Sequence, residues 1–231
     1  MDLDRLANSP IGRLVPISGV TPGTGDTWRY HAFVPPQPLP VTPALDMAAL
    51  NSASKAAMEV ARLDQAVSQL PNPRILVLVR PVVRREAAST AALEGTYATF
   101  GDVLEADFLE DRQLSSEQRE IRNYVNATEK GVELLDTYPI SVGLVSHLQE
   151  ILVRGTSSEA YDSGGLRQRQ VYIGPRNRPI SEARYVPPPE GMILVEGMSD
   201  WEKWVNTASD VPLVAKIALA HYQFESLHPF F

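Results

Sequence analysis

Cysteine is missing from all 231 residues. That excludes disulfides, thiolate metal sites and cysteine nucleophiles, and it suits a reducing cytoplasm. Long apolar runs are missing too, since none approaches the roughly 18 residues of a membrane span. Met1 to Asp4 carry two acids and no basic stretch, so no secretory signal is expected at the start. Positive charge is scarce: 21 Lys and Arg stand against 28 Asp and Glu, a net charge of −7. Broad nucleic-acid binding needs a basic face to displace counterions from phosphates and is not expected. A soluble cytoplasmic protein is the expectation. The composition that remains is ordinary for a globular chain, 44% apolar and 21% charged. The length suffices for one large domain or two small ones.

Residues 1–42 are rich in proline and glycine, with Pro35-Pro36 and a run from Pro38 to Pro43 at the end. Proline fixes φ and removes a backbone donor, so an extended wrap rather than a packed element is expected. Gly23-Thr24-Gly25 has the look of a phosphate loop, but no strand is expected before it and no third glycine follows at the dinucleotide-binding spacing. It reads as a turn. From Ala44 to Leu70 the pattern is helical, with Val60, Leu63, Val67 and Leu70 on one face, until Pro71-Asn72-Pro73. Ile75 to Val79 has a strand's composition, but so short an apolar run is ambiguous.

Ser115 and Gln118 have the spacing of a capping box, and Glu117 suits the positive end of the helix that follows. Ile121, Val125, Val132 and Leu135 are expected to form its buried face. After Pro139, Ser141 is placed to cap a helix through Leu144, Leu148 and Ile151. Residues 155–165 read as a polar loop. Gln170 to Ile173 and Arg184 to Val186, on either side of Gly174-Pro175-Arg176-Asn177, read as a hairpin or flap, stopped by Pro187-Pro188-Pro189. Two further helices are expected, one through Leu194, Met198 and Trp201 and one from Val214 to Leu227. The expected architecture is mainly α with one small β-hairpin near residues 170–187.

The last helix holds the densest polar constellation. His221, Glu225 and His228 are spaced four and three apart, near one helical face, and imidazole and carboxylate are ordinary metal ligands. The spacing differs from the zinc-hydrolase pattern, in which two histidines lie four apart with a glutamate beside the first. Three ligands from one helix rarely close a site unaided. The plainer reading is that His221 and Glu225 satisfy each other at the edge of a core.

The same run, Ala220 to Phe231, resembles the approach to the motif of the Fic family. There His-Pro-Phe and one variable residue precede an acidic residue, Gly-Asn-Gly and arginines. His228, Pro229, Phe230 and Phe231 match the first four positions, and the rest would fall after the last residue. Arg85 to Thr96 resembles the inhibitory helix of Fic proteins that carry their inhibitor N-terminally, with Thr90, Glu94 and Gly95 at its signature positions. Gly164-Gly165-Leu166-Arg167 and Gln170 to Gly174 are similar to the segment entering the family's flap, and Tyr185 to Pro189 to the stretch after it. Asn8 to Gly12 and Ala32 to Pro35 resemble the family's N-terminal region.

The resemblance implies a Fic-type helical domain with an N-terminal helical extension and one β-hairpin flap. It divides the chain into an N-terminal region, 1–110, with the inhibitory helix at about 82–95, and a Fic core, 111–231, incomplete at its C-terminus. It also makes Ile75 to Val79 helical. It implies a protein adenylyltransferase moving AMP from ATP, with Mg²⁺, onto a hydroxyl of a target protein, the enzyme itself included. His228 takes the role of base. An imidazole titrates near pH 6.5 and so supplies a neutral acceptor at neutral pH; the structural alternative is a histidine capping a helix end. Thr90, Glu94 and Gly95 take the inhibitory role, because a carboxylate competes with the γ-phosphate for one arginine fork. The plainer reading makes Glu94 an ordinary carboxylate before a glycine C-cap.

Val171, Tyr172, Ile173 and Gly174 are the flap candidates, where a target strand would add by main-chain hydrogen bonds; the alternative is a plain surface hairpin. Arg167 is left between reaching phosphate and pairing with an acid such as Asp162. With anion loop and arginines outside it, this stretch alone is expected to be inactive. A homodimer stays open, no membrane partner is implied, and nucleic acid enters through a further C-terminal domain alone. Two other readings remain: a non-enzymatic regulatory or interaction module, and a metal-dependent hydrolase using His221, Glu225 and His228.

Overall fold

The structure is a computed structural model. It describes residues 1–21, 25–36, 43–70, 72–93, 99–106, 108–160, 163–175 and 178–231, with the backbone alone for 72–78 and 93. In chain order its elements are α1 (Leu3–Ala7), β1 (Arg13–Val20), β2 (Thr27–Val34), α2 (Met47–Ser68), α3 (Asn72–Leu93), α4 (Phe100–Ala106), a 3-10 turn (Asp111–Gln113), α5 (Ser116–Leu135), α6 (Val142–Val153), α7 (Met192–Asn206) and α8 (Leu213–Leu227), with two more 3-10 turns at Ser157–Ala160 and Ile180–Glu182. The protein is mainly helical with a small antiparallel hairpin, as expected. The chain packs as two units, one of Met1–Asp46 with Leu166–Phe231, the other Met47–Gly165.

In the second unit local signals work as read. Ser115 accepts from the Gln118 amide and Gln118 returns the bond to the Ser115 amide, starting α5. Ser141 accepts from the Leu144 amide and starts α6. Asn123, buried on α5, donates to the carbonyls of Leu152 (3.0 Å) and Arg154 (2.7 Å), so one amide ends α6 and ties it to α5. Ile75 to Val79 lies within α3, helical as the resemblance implied, and Pro81 interrupts the hydrogen-bond ladder of that helix. The core of the unit joins Ala87 of α3, Val103 of α4 and Ile121 and Val125 of α5. Val132 and Leu135 are not part of the buried face, being 65% and 48% exposed. The buried side of α5 continues instead at Gly131, beside Leu148 of α6, so Val132 lies off that face rather than beyond its end.

In the first unit the sequence expectation is corrected twice. Residues 13–34 form a regular hairpin, with Arg13 opposite Val34 and Val20 opposite Thr27. Val15, Ala32 and Val34 are buried against Ile180, Ala183 and Val186, so this stretch is packed rather than a loose wrap. Pro16 is tolerated because β1 lies at the sheet edge, where a missing donor costs little. Gly25, in the turn with φ +76, follows a strand after all, but a hairpin strand; Gly23 and Thr24 lie outside the described residues. Gly19 sits across from Trp28, whose ring would meet an added Cβ at 2.4 Å. Residues 170–187, by contrast, make a single antiparallel bridge, Ile173 to Tyr185, among the described residues. The polar tip and three prolines leave too little chain for a ladder there.

α7 and α8 complete the unit. Trp201 donates its indole N–H to the Ala220 carbonyl at 3.0 Å, and its ring lies 5.4 Å from that of Phe224. Leu194, Met198 and Leu227 are fully buried. Among the described residues no helix is long and apolar enough to cross a membrane. Ile121→Ala is expected to cost about 2–5 kcal/mol in urea unfolding, while Val132→Ala changes stability by less than about 0.5 kcal/mol. Equal costs would show that the α5 face is drawn wrongly.

Candidate functional site

The site begins where α8 stops. Pro229 clashes with a right-handed helical conformation at the residue before it, so the helix cannot run through His228. His228 adopts φ 46 and ψ 65, the left-handed region, while its amide still donates to the Phe224 carbonyl at 2.9 Å. It is the one non-glycine residue with positive φ among the described residues. Histidine is among the few side chains that visit this region, at a cost of order 1–3 kcal/mol.

Backbone carbonyls freed at the helix end are taken by two side chains. The Tyr185 hydroxyl donates to the Ser226 carbonyl at 2.7 Å. Arg167, with 0% exposure, donates from Nε to the His228 carbonyl (2.7 Å) and from Nη2 to Leu227 (3.3 Å) and Pro188 (2.6 Å). Its Nη1 reaches the Arg169 carbonyl at 3.3 Å, and its own amide donates to Pro229 at 2.9 Å. A cation at a helix C-terminus also meets the negative end of the helix dipole. Among the described residues the partners of the Arg167 guanidinium are carbonyls, not an acid; Asp162 lies outside the described residues.

Burial shifts the titrating groups here. It draws the Arg167 guanidinium down to about 10, with Glu190 and Tyr185 acting the other way, and the group stays charged at neutral pH. It pushes the Tyr185 phenol well up. The His228 imidazole is held below its ordinary value, first by burial and then by the Arg167 charge. A neutral imidazole is the form that accepts a proton.

His228 opens onto a cavity of about 980 Å³ lined also by Val171, Tyr172, Arg169, Glu190 and Trp28. The volume is at the upper end of ordinary ligand pockets. The structure thus brings together His228 with the flap candidates Val171 and Tyr172. Ile173 is tied instead to Tyr185, its amide donating to the Tyr185 carbonyl at 2.8 Å, and a Cβ added at Gly174 would lie 3.1 Å from the Ala183 backbone. Thr90 lies near the end of α3, in the other unit; Glu94 and Gly95 are outside the described residues. His221 and Glu225 are exposed on α8, and no three His, Asp or Glu side chains converge on a metal position among the described residues. The wall that β1 and β2 contribute, Ser18 to Val20 and Trp28, was not foreseen. Nor was the Arg167 fork, whose partners are carbonyls and carry no side-chain signature.

Lowered imidazole protonation makes stability depend on pH with a definite sign. The unfolded chain binds the His228 proton more readily than the folded one, so this contribution is held above about pH 6.5 and is lost as pH falls below it. His228→Asn, whose side chain tolerates the left-handed region, is expected to flatten the slope of urea-unfolding stability between pH 5 and 7. An unchanged slope would contradict a buried neutral imidazole.

Comparison with known proteins adds family to geometry. The Fic/DOC family N-terminal model matches residues 50–133, and the Fic/DOC family model matches residues 139–231. A crystal structure of a Fic family protein from Desulfovibrio desulfuricans G20 is similar with a TM-score of 0.60 and 22% identity, covering 81% of this chain and 54% of that one. The chain spans about half the length of that solved relative, and at this identity the likeness is one of fold.

Proposed function

The chain carries the N-terminal region of the Fic/DOC family followed by its Fic domain, and on that premise we propose that it is the acceptor-activating part of a cytoplasmic protein adenylyltransferase, with AMP moved from ATP to a protein hydroxyl. The observation that carries the reading is the neutral-leaning His228 imidazole, presented by a left-handed turn at a cavity walled by Val171 and Tyr172.

In this reading His228 accepts the proton of the target hydroxyl as the oxygen attacks the α-phosphorus. The oxygen–phosphorus bond forms, the bond to the bridging oxygen breaks, and pyrophosphate leaves with that electron pair. Val171 and Tyr172 hold the target backbone beside the imidazole, so that position rather than sequence selects the hydroxyl. Among the described residues no carboxylate and imidazole set is gathered for Mg²⁺, and no step here runs through the ion; the resemblance puts its ligand at the acidic position after Phe231. The acceptor is another protein or the enzyme's own chain, and assembly as a homodimer belongs to the same proposal. Thr90, Glu94 and Gly95 supply auto-inhibition by their motif, with the Glu94 carboxylate competing for the arginine that would hold the γ-phosphate.

The test is incorporation of labelled AMP by a chain carrying the acidic residue, the glycine-rich loop and the arginines after Phe231. His228→Ala is expected to lower incorporation by about 100- to 10,000-fold, and Glu94→Gly to raise it above wild type. Incorporation undiminished in His228→Ala would remove the base. A Glu94→Gly protein no more active than wild type would remove the inhibitor.

A further inference from the structure

The acceptor-activating histidine stands on a strained turn, and beyond its amide bond to Phe224 its support comes from outside the helix that carries it. Every side-chain nitrogen of Arg167 is spent on backbone carbonyls: those of Leu227 and His228 in the turn, and those of Arg169 and Pro188 on either side of residues 170–187. The Arg167 amide adds a bond to Pro229. The residues before, at and after the histidine are thus all fastened to one buried residue about 60 positions earlier in the chain. Arg169 and Val171, two and four residues further on, line the cavity beside His228.

We infer that Arg167 is a positioning residue for the acceptor-activating step: its guanidinium fork fixes the left-handed turn at His228 and, through the carbonyls of Arg169 and Pro188, ties that turn to the cavity wall formed by residues 169–172. The inference rests on the adenylyl-transfer reading for its consequence in catalysis, but not for its geometry. Three properties of arginine suit the place. Its donors are rigidly arranged in a plane, so two carbonyls of one turn can be held at a fixed angle. It keeps its charge when buried, which a lysine does less readily. And Arg167 is fully buried and does not line the cavity, so its charge disfavours protonation of His228 without competing for the place of the acceptor. The other charged and titratable side chains around that cavity are Arg169, Tyr172, Arg178 and Glu190. Arg169 is drawn over the Phe231 ring, 3.8 Å from its centre, and Arg178 lies 3.8 Å from Glu182.

The experiment compares wild type, Arg167→Lys and Arg167→Met, with Trp201→Phe as a variant that removes the α8 hydrogen bond at Ala220 while keeping an aromatic ring against Phe224. In the 231-residue chain, NMR follows the His228 backbone resonances and the pH titration of its imidazole. Arg167→Met is expected to move both, the titration midpoint upwards because the neighbouring charge is gone. Arg167→Lys keeps the charge and a low midpoint but shifts the backbone resonances, because a single ammonium cannot hold the fork. Trp201→Phe lowers the melting temperature and moves neither. In the chain carrying the whole motif, Arg167→Lys is expected to lower kcat about 100-fold, the scale of a misplacement near 1 Å, with the KM for ATP little changed.

If the Arg167 variants behave as Trp201→Phe does in every readout, the residue is structural filling and the inference is overturned. Should Arg167→Met not fold, wild type still decides, since an Arg167 Nε–H exchanging as fast as those of exposed arginines overturns it as well. A complete-motif wild type without AMP transfer would sink the adenylyl-transfer reading while the NMR arms still judge Arg167.

Discussion

A guanidinium with no exposed surface is an expensive object, and the first unit is arranged around the one at Arg167. Removing a charge from water costs several kcal/mol unless its donors are all satisfied. Among the described residues no carboxylate does that work. Backbone carbonyls of Leu227, His228, Arg169 and Pro188 do it, and those of the buried Leu227 and Pro188 would otherwise be acceptors in need of a donor. The dependence is therefore mutual. The arginine can be buried because three stretches of backbone converge on it, and those stretches converge because the arginine satisfies them. The end of α8, residues 169–172 and the prolines after Tyr185 are held in register by side chains, Arg167 with Tyr185 on Ser226 and Gln170 on Pro187, rather than by a sheet ladder.

That arrangement explains what could be read from sequence and what could not. Local signals carried the helices: the Ser115 and Gln118 capping box, the Ser141 cap and the apolar steps through Leu194, Met198 and Trp201 all describe contacts within a few residues. The end of α8 was legible for the same reason, because Pro229 acts on its immediate neighbour. The hairpin at 13–34 was missed because proline and glycine dominate the composition around it, while the residues that pack it, Ile180, Ala183 and Val186, lie about 150 positions away. The opposite error occurred at 170–187, where turn residues and β-branched pairs looked like a ladder and gave one bridge. Val132 and Leu135 lie off the buried side of α5, which continues at Gly131 against Leu148.

The candidate site divides along the same line. His228, Val171 and Tyr172 were found by motif, and they meet at one cavity. Arg167 was noticed without a role, since arginine in sequence suggests an anion, whereas its actual partners are carbonyls that any residue provides. Ser18 to Val20 and Trp28 gave no signal, because their place at the cavity depends on a hairpin that was not expected.

The pairing of His228 with Pro229 accomplishes two things with one constraint. Proline ends the helix by disfavouring the right-handed helical conformation at the preceding residue, and here that residue takes the left-handed one, which turns the chain away from the helix axis. The strain involved is of order 1–3 kcal/mol. Hydrogen bonds to a charged donor contribute about 1.5–3 kcal/mol each, so the Arg167 contacts in the turn are of the right size to offset it. The turn that carries the imidazole is thereby held by two residues outside the cavity lining, proline through sterics and arginine through its fork, and the cavity face is left to His228, Val171 and Tyr172.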